Sequence, residues 1–213
     1  MHDVLMTMNT HQMRLGLEDC LDYGYGFARA GLFPETAGIL TALAQELEYR
    51  RVKMPEKSQS YGQYGYIDGQ WPEEIAWLVE QTQDLVTARA RAGLLRGLMD
   101  WQPNDVVLQT YDELDSESGW HKDFSSDLHI VVVFSLNGFA QMKVKTQQGA
   151  VHTLSLSPGS AVFLLAPHPD VGSDPRLAHK VGHPLTDEGR ISLAVRMNVS
   201  ETHRANQYYY ASA

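Results

Sequence analysis

Two side chains in the segment GWHKDF, His121 and Asp123, have the chemical types and the spacing needed to hold a metal ion. On an extended backbone, side chains two positions apart project to the same side, so an imidazole and a carboxylate can share one ion. A pair of this kind also arises by chance, and the ordinary alternative is a surface ion pair. A metal site therefore requires a third ligand from elsewhere in the chain.

The histidines downstream of this pair are the candidates: His129, His152, His168, His179 and His183. His179, in RLAHKV, follows the apolar segment AVFLLA and a loop, where two facing sheets would bring it opposite His121. His152 lies in an alternating segment and His168 lies between prolines, so both are weaker candidates. His183 remains the rival of His179.

Two imidazoles and one carboxylate fill one face of an octahedron and leave three coordination positions open. That arrangement suits non-haem Fe(II), which must also bind a cosubstrate and O₂, whereas a structural zinc closes its coordination shell. The chain has a single cysteine, Cys20, which cannot form a thiolate cluster or an internal disulfide. Any metal must therefore be held by histidines and carboxylates.

The segment RISLAVRMN has the alternation of a strand with one apolar face and one polar, basic face, and Arg190 and Arg196 lie on the polar face. On an ordinary half-exposed strand this face would be solvated. Inside a sandwich each arginine needs an anion, because an unpaired buried guanidinium costs several kcal/mol, and a dicarboxylate cosubstrate offers two carboxylates. Six strand positions span about 20 Å, so the alternative is that one arginine pairs with a carboxylate of the protein.

Short segments rich in β-branched residues would position these side chains. From Val106 onward they are separated by turn sequences, and they read VVLQTY, HIVVVFSL, AQMKVKT, VHTLSLS, AVFLLA and RISLAVRMN. Strands at this spacing predict a β-sandwich or barrel. Two amphipathic helices precede them, one over about 34–49 and one from the WPEE segment to about 96. The predicted fold is α+β, mainly β: a jelly roll braced by N-terminal helices.

Between the two helices lies SQSYGQYGYIDGQ, which has tyrosines among glycines and no apolar periodicity. This composition predicts an aromatic loop or a short hairpin.

The composition limits the possible partners. The net charge of −9 is opposite in sign to the footprint of a protein that grips phosphates along its surface, so it weakens a nucleic-acid role. No apolar run approaches the roughly 20 residues that would span a bilayer. We therefore expect a soluble, cytoplasmic protein with no membrane partner.

The order of these motifs resembles the AlkB-like family of Fe(II)- and 2-oxoglutarate-dependent dioxygenases. The likeness rests on NDVVLQTYDELDSESGWHKDF, on LSLSPGSAVFLLA followed by RLAHKV, on RISLAVR, and on GYIDGQWPEEIAWL. It runs in one order over roughly residues 30 to 200 and ranks His179 above His183. The fold it implies is the double-stranded β-helix, in one dioxygenase domain over 1–213. Within that domain we expect helical support and an aromatic lid over about 1–100, the jelly-roll core over about 104–200, and a tail over 201–213.

The resemblance implies a role for each matching residue. The implied iron ligands are His121, Asp123 and His179, and the implied 2-oxoglutarate ligands are Gln109, Tyr111, Arg190 and Arg196. For the substrate, aromatic side chains that would contact a flipped base are expected at Tyr64, Tyr66, Trp71 and Phe124, although Trp71 could equally be a core residue at a helix start.

Two positions depart from the family pattern. Gln109 stands where the family usually has Asn, which keeps the amide and extends it by one methylene. Phe124 follows the ligand Asp123 in the region where the family usually has an acid that binds a substrate base, and it offers only apolar or stacking contact.

Three functions follow in order of preference. The first is oxidative demethylation of N-alkylated nucleobases, with Fe(II) as cofactor and with 2-oxoglutarate and O₂ as cosubstrates. The second keeps this chemistry and takes a small metabolite or a peptide side chain, which the acidity of the chain and Phe124 both favour. The third is a non-catalytic jelly-roll metal protein, in which the arginines of RISLAVRMN would have no evident function. The oligomeric state stays open.

Overall fold

Antiparallel strands dominate the second half of the chain, as the short β-branched segments predict. The computed structural model describes residues 6–47, 50–53, 61–66, 71–91, 96–111, 117–168 and 174–199. The helices are α1 (Thr10–Tyr23), α2 (Pro34–Glu46) and α3 (Glu73–Arg91), with a 3₁₀ helix over Arg96–Asp100. The strands are β1 (Tyr25–Ala28), β2 (Arg50–Lys53), β3 (Tyr61–Tyr66), β4 (Asp105–Tyr111), β5 (Asp127–Asn137), β6 (Ala140–Lys145), β7 (Val151–Leu156), β8 (Ala161–Leu165), β9 (Ala178–Val181) and β10 (Arg190–Asn198).

The strands form two sheets. The larger has the order β1-β8-β5-β10-β4-β3-β2, and the smaller has the order β7-β6-β9. One apolar cluster includes Val131 and Leu164 of the large sheet with Met142 and Val144 of β6, so it lies between the sheets. The other joins the opposite face of the large sheet to the helices, through residues such as Phe134. The predicted jelly roll braced by N-terminal helices is confirmed.

The alternation of β10 decides which side chains enter the sandwich. Ile191, Leu193 and Val195 belong to the cluster on the helix side. Because side chains alternate along a strand, Arg190 and Arg196 face the other way, into the space between the sheets. Both arginines are buried. The polar face predicted for this strand is therefore an interior surface.

The helices differ from the predictions at their boundaries and in number. α2 begins at Pro34 as predicted and ends at Glu46; α3 is described over Glu73–Arg91, and its predicted continuation to about 96 falls on residues 92–95, outside the described residues. α1 was not predicted, because its apolar stripe of Met13, Leu17 and Cys20 is narrow and interrupted by polar residues. Its capping residues were the missed signal: the Asn9 side chain accepts a hydrogen bond from the Gln12 amide, and Gly24 ends the helix with a left-handed φ of 86°.

Three strands, β1, β2 and β9, also lay outside the predicted set, whereas β3 lies in the segment predicted as an aromatic loop or a short hairpin. β1 and β9 have four residues each, which is too short to show an alternating pattern. The aromatic segment contains β3, which pairs with β2 and with β4 and so extends the large sheet. The backbone places Tyr64 opposite Gln109 and Tyr66 opposite Val107. The predicted tail over 201–213 lies outside the described residues.

A search of the described helices for a bilayer-spanning segment finds none with sufficient length and apolar character.

Helix α1 lies so close to β1 that no side chain fits between them. A Cβ on Gly26 would stand 1.7 Å from the carbonyl oxygen of Gly16 and 2.8 Å from the amide nitrogen of Cys20. Both approaches are far inside van der Waals contact, and both meet backbone atoms, which cannot rotate away. The close packing of α1 against β1 therefore requires a glycine at position 26.

We expect Gly26→Ala to lower the free energy of unfolding by about 3 kcal/mol, because the helix must move off the strand. The matched control is Gly38→Ala in the interior of α2, where a Cβ has nothing within 4 Å. This control should gain about 1 kcal/mol, since alanine is the better helix former. Urea unfolding of both variants measures the difference, and equal stabilities would contradict the close approach.

Candidate metal centre and cosubstrate pocket

The three predicted metal ligands meet at one point. His121, Asp123 and His179 each offer a ligand atom, and these atoms all lie within 4.8 Å of one another. The carboxylate of Asp123 lies 3.7 Å from Nε2 of His179, and the two imidazole centroids are 4.4 Å apart. Among the described residues this is the one group of three or more such side chains close enough to hold an ion.

Backbone pairing brings the two histidines together. The amide of His121 donates to the carbonyl of His179 at 3.0 Å, and the reverse bond is 2.8 Å. Two positions along β9, the amide of Ser118 donates to the carbonyl of Val181, whose own amide donates to the Ser118 hydroxyl. The segment 118–121 therefore continues the small sheet beyond β9, and His121 and His179 face each other across this edge.

Each imidazole is oriented by a carbonyl close to it in sequence. Nδ1 of His121 lies 2.8 Å from the carbonyl oxygen of Gly119, and Nδ1 of His179 lies 3.1 Å from that of Leu177. A carbonyl only accepts, so in each bond Nδ1 carries the proton and Nε2 keeps its lone pair. Both rings are thus in the tautomer that binds a metal through Nε2.

The environment also favours the neutral imidazole that metal binding requires. Burial lowers the pKa of His179, and the neighbouring His121 acts in the same direction, although the carboxylate of Asp123 opposes them. His121 is exposed, whereas only 5% of the surface of His179 is exposed. The centre is therefore anchored in the interior by His179 and open to solvent beside His121.

Arg190 is a buried cation without a carboxylate partner among the described residues. Its guanidinium donates at 3.3 Å to the hydroxyls of Ser192 and Ser135, and its Nε has no hydrogen-bond partner. The ring of Tyr111 lies 5.5 Å from its guanidinium carbon. Burial lowers the pKa of Arg190, and Tyr111 opposes that change. A buried guanidinium with two long bonds to hydroxyls is a site that fits an anion.

The predicted cosubstrate residues Gln109 and Tyr111 lie beside this cation. The phenol of Tyr111 and the hydroxyl of Ser192 both lie within donating distance of Gln109 Oε1, at 3.5 and 3.4 Å. Burial raises the pKa of Tyr111, with Arg190 opposing, so the phenol keeps its proton as a donor. β4 and β10 pair in a register that places Arg190 opposite Tyr111 and Ser192 opposite Gln109.

Arg196 has a different environment. Its guanidinium bonds to Asp105, which its backbone position faces on β4, and lies 3.5 Å from the carboxylate of Asp127. The side chain of Asn198 donates to Asp127 at 3.1 Å. These contacts favour the alternative of a carboxylate of the protein as the partner of one arginine, and a direct bond from Arg196 to the cosubstrate stays a prediction. Sequence reasoning missed both aspartates, whose signal is a charged residue at the start of each apolar strand.

The residues predicted to contact the substrate divide into three cases. Phe124 is 37% exposed and directly follows Asp123, and Trp120, which was not predicted, is 47% exposed and precedes His121. Trp71 packs against the core on the helix side of the large sheet, in agreement with its alternative role. The side chains of Tyr64 and Tyr66 lie outside the described part of the structure, so their substrate contacts stay predictions.

The rival third ligand does not reach the centre. Nε2 of His183 lies 3.6 Å from the carboxylate of Glu117, and His183 is half exposed. Elsewhere, His152 accepts or donates a hydrogen bond with the phenol of Tyr25 at 2.9 Å. His129 and His168 pack edge to face with each other.

Comparison with models of protein families and with curated protein sequences finds no match. Solved structures do match. A prolyl-4-hydroxylase from Pseudomonas putida is 16% identical with a TM-score of 0.66, over 86% of this chain and 97% of that one. A prolyl hydroxylase from Trichoplax adhaerens, in complex with a hypoxia-inducible factor peptide, is 14% identical with a TM-score of 0.63, over 92% and 93%.

A third match is SnoN, an epimerase from nogalamycin biosynthesis, in complex with Fe³⁺, α-ketoglutarate and nogalamycin RO. It is 14% identical with a TM-score of 0.56, over 87% of this chain and 82% of that one. At these identities the likeness shows the fold. The chain therefore shares its jelly-roll fold with these three enzymes.

The carboxyl group of Asp127 should make stability depend on pH. Burial raises its pKa from 3.8 to about 6, Arg196 opposes the rise, and Asp123 and Asp105 add to it. Because the folded state holds this proton more tightly than the unfolded state, ionisation costs stability as the pH rises from about 4 to about 6. The full cost is about 3 kcal/mol.

We therefore expect Asp127→Asn, measured without metal, to become more stable relative to the wild type across this pH range and to keep a constant difference above it. Urea unfolding at intervals between pH 4 and pH 7 measures the difference. A difference that does not change with pH would contradict the raised pKa.

Proposed function

We propose that this chain is an Fe(II)- and 2-oxoglutarate-dependent oxygenase that inserts oxygen into a substrate C–H bond, with His121, Asp123 and His179 as the iron ligands. The observation that carries the proposal is that the structure contains both this triad and Arg190, a buried cation that lacks a carboxylate partner among the described residues. A structural metal site alone would not need a buried anion site on the interior face of β10.

The donor set fits the metal. Two neutral imidazoles present Nε2 lone pairs, and one carboxylate completes a face of the octahedral coordination sphere. His121 is exposed, which leaves room for further ligands. Three protein ligands with open positions are the arrangement of non-haem iron oxygenases rather than of a closed structural zinc site. The solved structures that share the fold include one with Fe³⁺ and α-ketoglutarate bound.

The second group that must fit is 2-oxoglutarate. Arg190 offers its guanidinium to one carboxylate, and Tyr111 can donate its phenolic proton to the same group. Gln109 lies within hydrogen-bonding distance of the Tyr111 phenol, so its amide can orient that phenol or meet a cosubstrate oxygen itself. Burial of Arg190 strengthens the ion pair, because few waters compete for it.

When bound, the iron and 2-oxoglutarate supply the oxidation: one oxygen atom of O₂ enters the substrate as a hydroxyl, and the other converts 2-oxoglutarate into succinate with release of CO₂. The protein holds the reactants in place and keeps His121 and His179 in the metal-binding tautomer. If the oxidised carbon is a methyl group on nitrogen, the hydroxylated product loses formaldehyde, so demethylation needs no further catalytic residue.

Two substrate classes share this chemistry. The AlkB-like motifs support oxidative demethylation of N-alkylated nucleobases, with a flipped base stacked against Phe124. The net charge of −9 supports the alternative, a hydroxylase of a peptide side chain or a small metabolite. The same alternative is supported by neighbours in structure that act as prolyl hydroxylases and by one from nogalamycin biosynthesis. Exposed Trp120 and Phe124 would suit an aromatic or apolar substrate in either class.

The proposal is tested by incubating the Fe(II)-loaded protein with 2-oxoglutarate and O₂ and measuring succinate. We expect succinate from the wild type and a loss of at least about 100-fold in His179→Ala, which removes the buried ligand. The control is His183→Ala, which removes the rival histidine and should keep wild-type turnover. No succinate from the wild type, or equal turnover in both variants, would overturn the proposed metal centre.

Arg190 has its own prediction. Arg190→Met should raise the 2-oxoglutarate concentration for half-maximal turnover by at least about 30-fold, because losing one partner of a buried ion pair costs about 2 kcal/mol or more. Arg29→Met removes an exposed arginine next to β1 and serves as the control. Unchanged 2-oxoglutarate dependence in Arg190→Met would exclude Arg190 as the carboxylate site.

The substrate class is decided by product mass. N-methylated DNA and RNA oligonucleotides, proline-containing peptides and small metabolites are each offered with 2-oxoglutarate and O₂. Loss of about 14 mass units per methyl, as CH₃ becomes H, identifies demethylation, and a gain of about 16 in a peptide or metabolite identifies hydroxylation. Succinate formation with every oligonucleotide unchanged would contradict the nucleobase proposal and leave the hydroxylase.

A further inference from the structure

Residues just before β9 form hydrogen bonds to the segment 121–123, which carries His121 and Asp123 and is called the metal-ligand segment. Arg176 lies three residues before His179, and its Nη1 donates to the carbonyl oxygen of Asp123 at 2.8 Å. This bond joins the stretch that carries two of the triad ligands to the stretch that carries the third. It involves the backbone of Asp123, so the carboxylate itself stays available for the metal.

The bond stands where the sheet would otherwise have continued. His121 and His179 exchange both backbone hydrogen bonds, so the next such pair along the edge would join Asp123 and Leu177. The carbonyl of Leu177 instead accepts from Nδ1 of His179. The carbonyl of Asp123 instead accepts from the side chain of Arg176. Arg176 therefore bonds to the carbonyl of Asp123, which the next ladder bond would have used.

Asp174 fixes the guanidinium in this position. Its two carboxylate oxygens accept from Nε and Nη2 of Arg176 at 2.8 and 3.0 Å, and one of them also accepts from the Arg176 amide at 3.0 Å. The same carboxylate accepts from Nζ of Lys122 at 3.0 Å. Lys122 lies between His121 and Asp123, so Asp174 holds the metal-ligand segment both directly and through Arg176. These bonds keep the pKa of Asp174 well below its usual range.

We infer that Arg176 is a positioning residue for the metal centre: held by Asp174, it fixes the backbone of Asp123 and so the direction in which the ligand carboxylate points. The inference rests on the proposed iron centre. A carbonyl oxygen held at 2.8 Å restricts the peptide plane that follows Asp123, and this limits the ψ rotation of Asp123 and with it the directions open to the Cα–Cβ bond. Loss of partners that orient metal ligands typically weakens metal affinity by about 10- to 100-fold.

Only an arginine matches all of these contacts. The planar guanidinium presents Nε and Nη2 to one carboxylate and Nη1 to a carbonyl in another direction at the same time. A lysine would keep the charge and could satisfy Asp174 or Asp123, since its ammonium is a single point. Arg176→Lys therefore separates the geometry of the side chain from its charge.

The test is metal affinity rather than turnover. Co(II) is titrated anaerobically into the metal-free wild type, Arg176→Lys, Arg176→Gln and Asp174→Asn, and binding is followed by the Co(II) absorption spectrum. The matched control is Lys145→Met, which removes a cation lining the same groove as Arg176. Circular dichroism and urea unfolding of the metal-free proteins show whether each variant is folded.

We expect Arg176→Lys and Arg176→Gln to bind Co(II) about 10- to 100-fold more weakly than the wild type, with an altered spectrum, and Lys145→Met to match the wild type. A merely structural role would lower the stability of the metal-free protein without changing affinity or spectrum. Should Arg176→Gln fail to fold, the comparison rests on Arg176→Lys.

Two results would overturn the inference, and they differ in whether the proposed metal centre is lost as well. A wild type that binds no Co(II) would remove the proposed metal centre itself, and the positioning role with it. A wild type that binds Co(II), together with folded Arg176 variants of equal affinity and spectrum, would remove the positioning role alone and leave the metal centre in place.

Discussion

The reciprocal pair of backbone hydrogen bonds between His121 and His179 is the interaction on which the candidate centre depends. It joins the segment that follows β4 to the edge of the small sheet, and so brings a HxD pair and a distant histidine to one point. Once this pair has formed, the remaining ligand geometry is local. Gly119 and Leu177 orient the two rings through their carbonyl oxygens. The third ligand is then only two residues from His121.

The second constraint is that charged groups inside the sandwich need partners, and the two arginines of β10 differ in the partners they have. Arg196 lies opposite Asp105 and near Asp127, to which Asn198 donates, so this guanidinium has carboxylates of the protein as partners at its end of the strand. Arg190, at the other end of the same face, contacts hydroxyls and an aromatic ring but no carboxylate within the described part of the chain. A buried cation left in that state destabilises the fold, which is the physical reason for an anion to bind there. Stability and anion binding are therefore expected to be linked at Arg190.

The two faces of the large sheet differ in what they carry. On one face, α1 packs so closely against β1 that Gly26 has no room for a Cβ, and the ion pair between Arg89 and Glu18 joins α3 to α1. The other face carries the polar side chains of the candidate site. Backbone pairing of β4 with β10 sets Arg190 opposite Tyr111 on that second face.

The sequence by itself determined the jelly roll with its helical support, because alternation and turn residues are local signals that survive in any context. It also supplied the ligand candidates, since HxD on extended backbone is a local geometry. It could not predict α1, whose burial depends on β1 and Phe163 rather than on a strong apolar stripe. Only the tertiary structure separated His179 from His183 in space, and only it gave Arg196 two carboxylates while no described carboxylate reaches Arg190. Those outcomes depend on which residues a register and a loop bring together across the chain, and no local pattern encodes that distance.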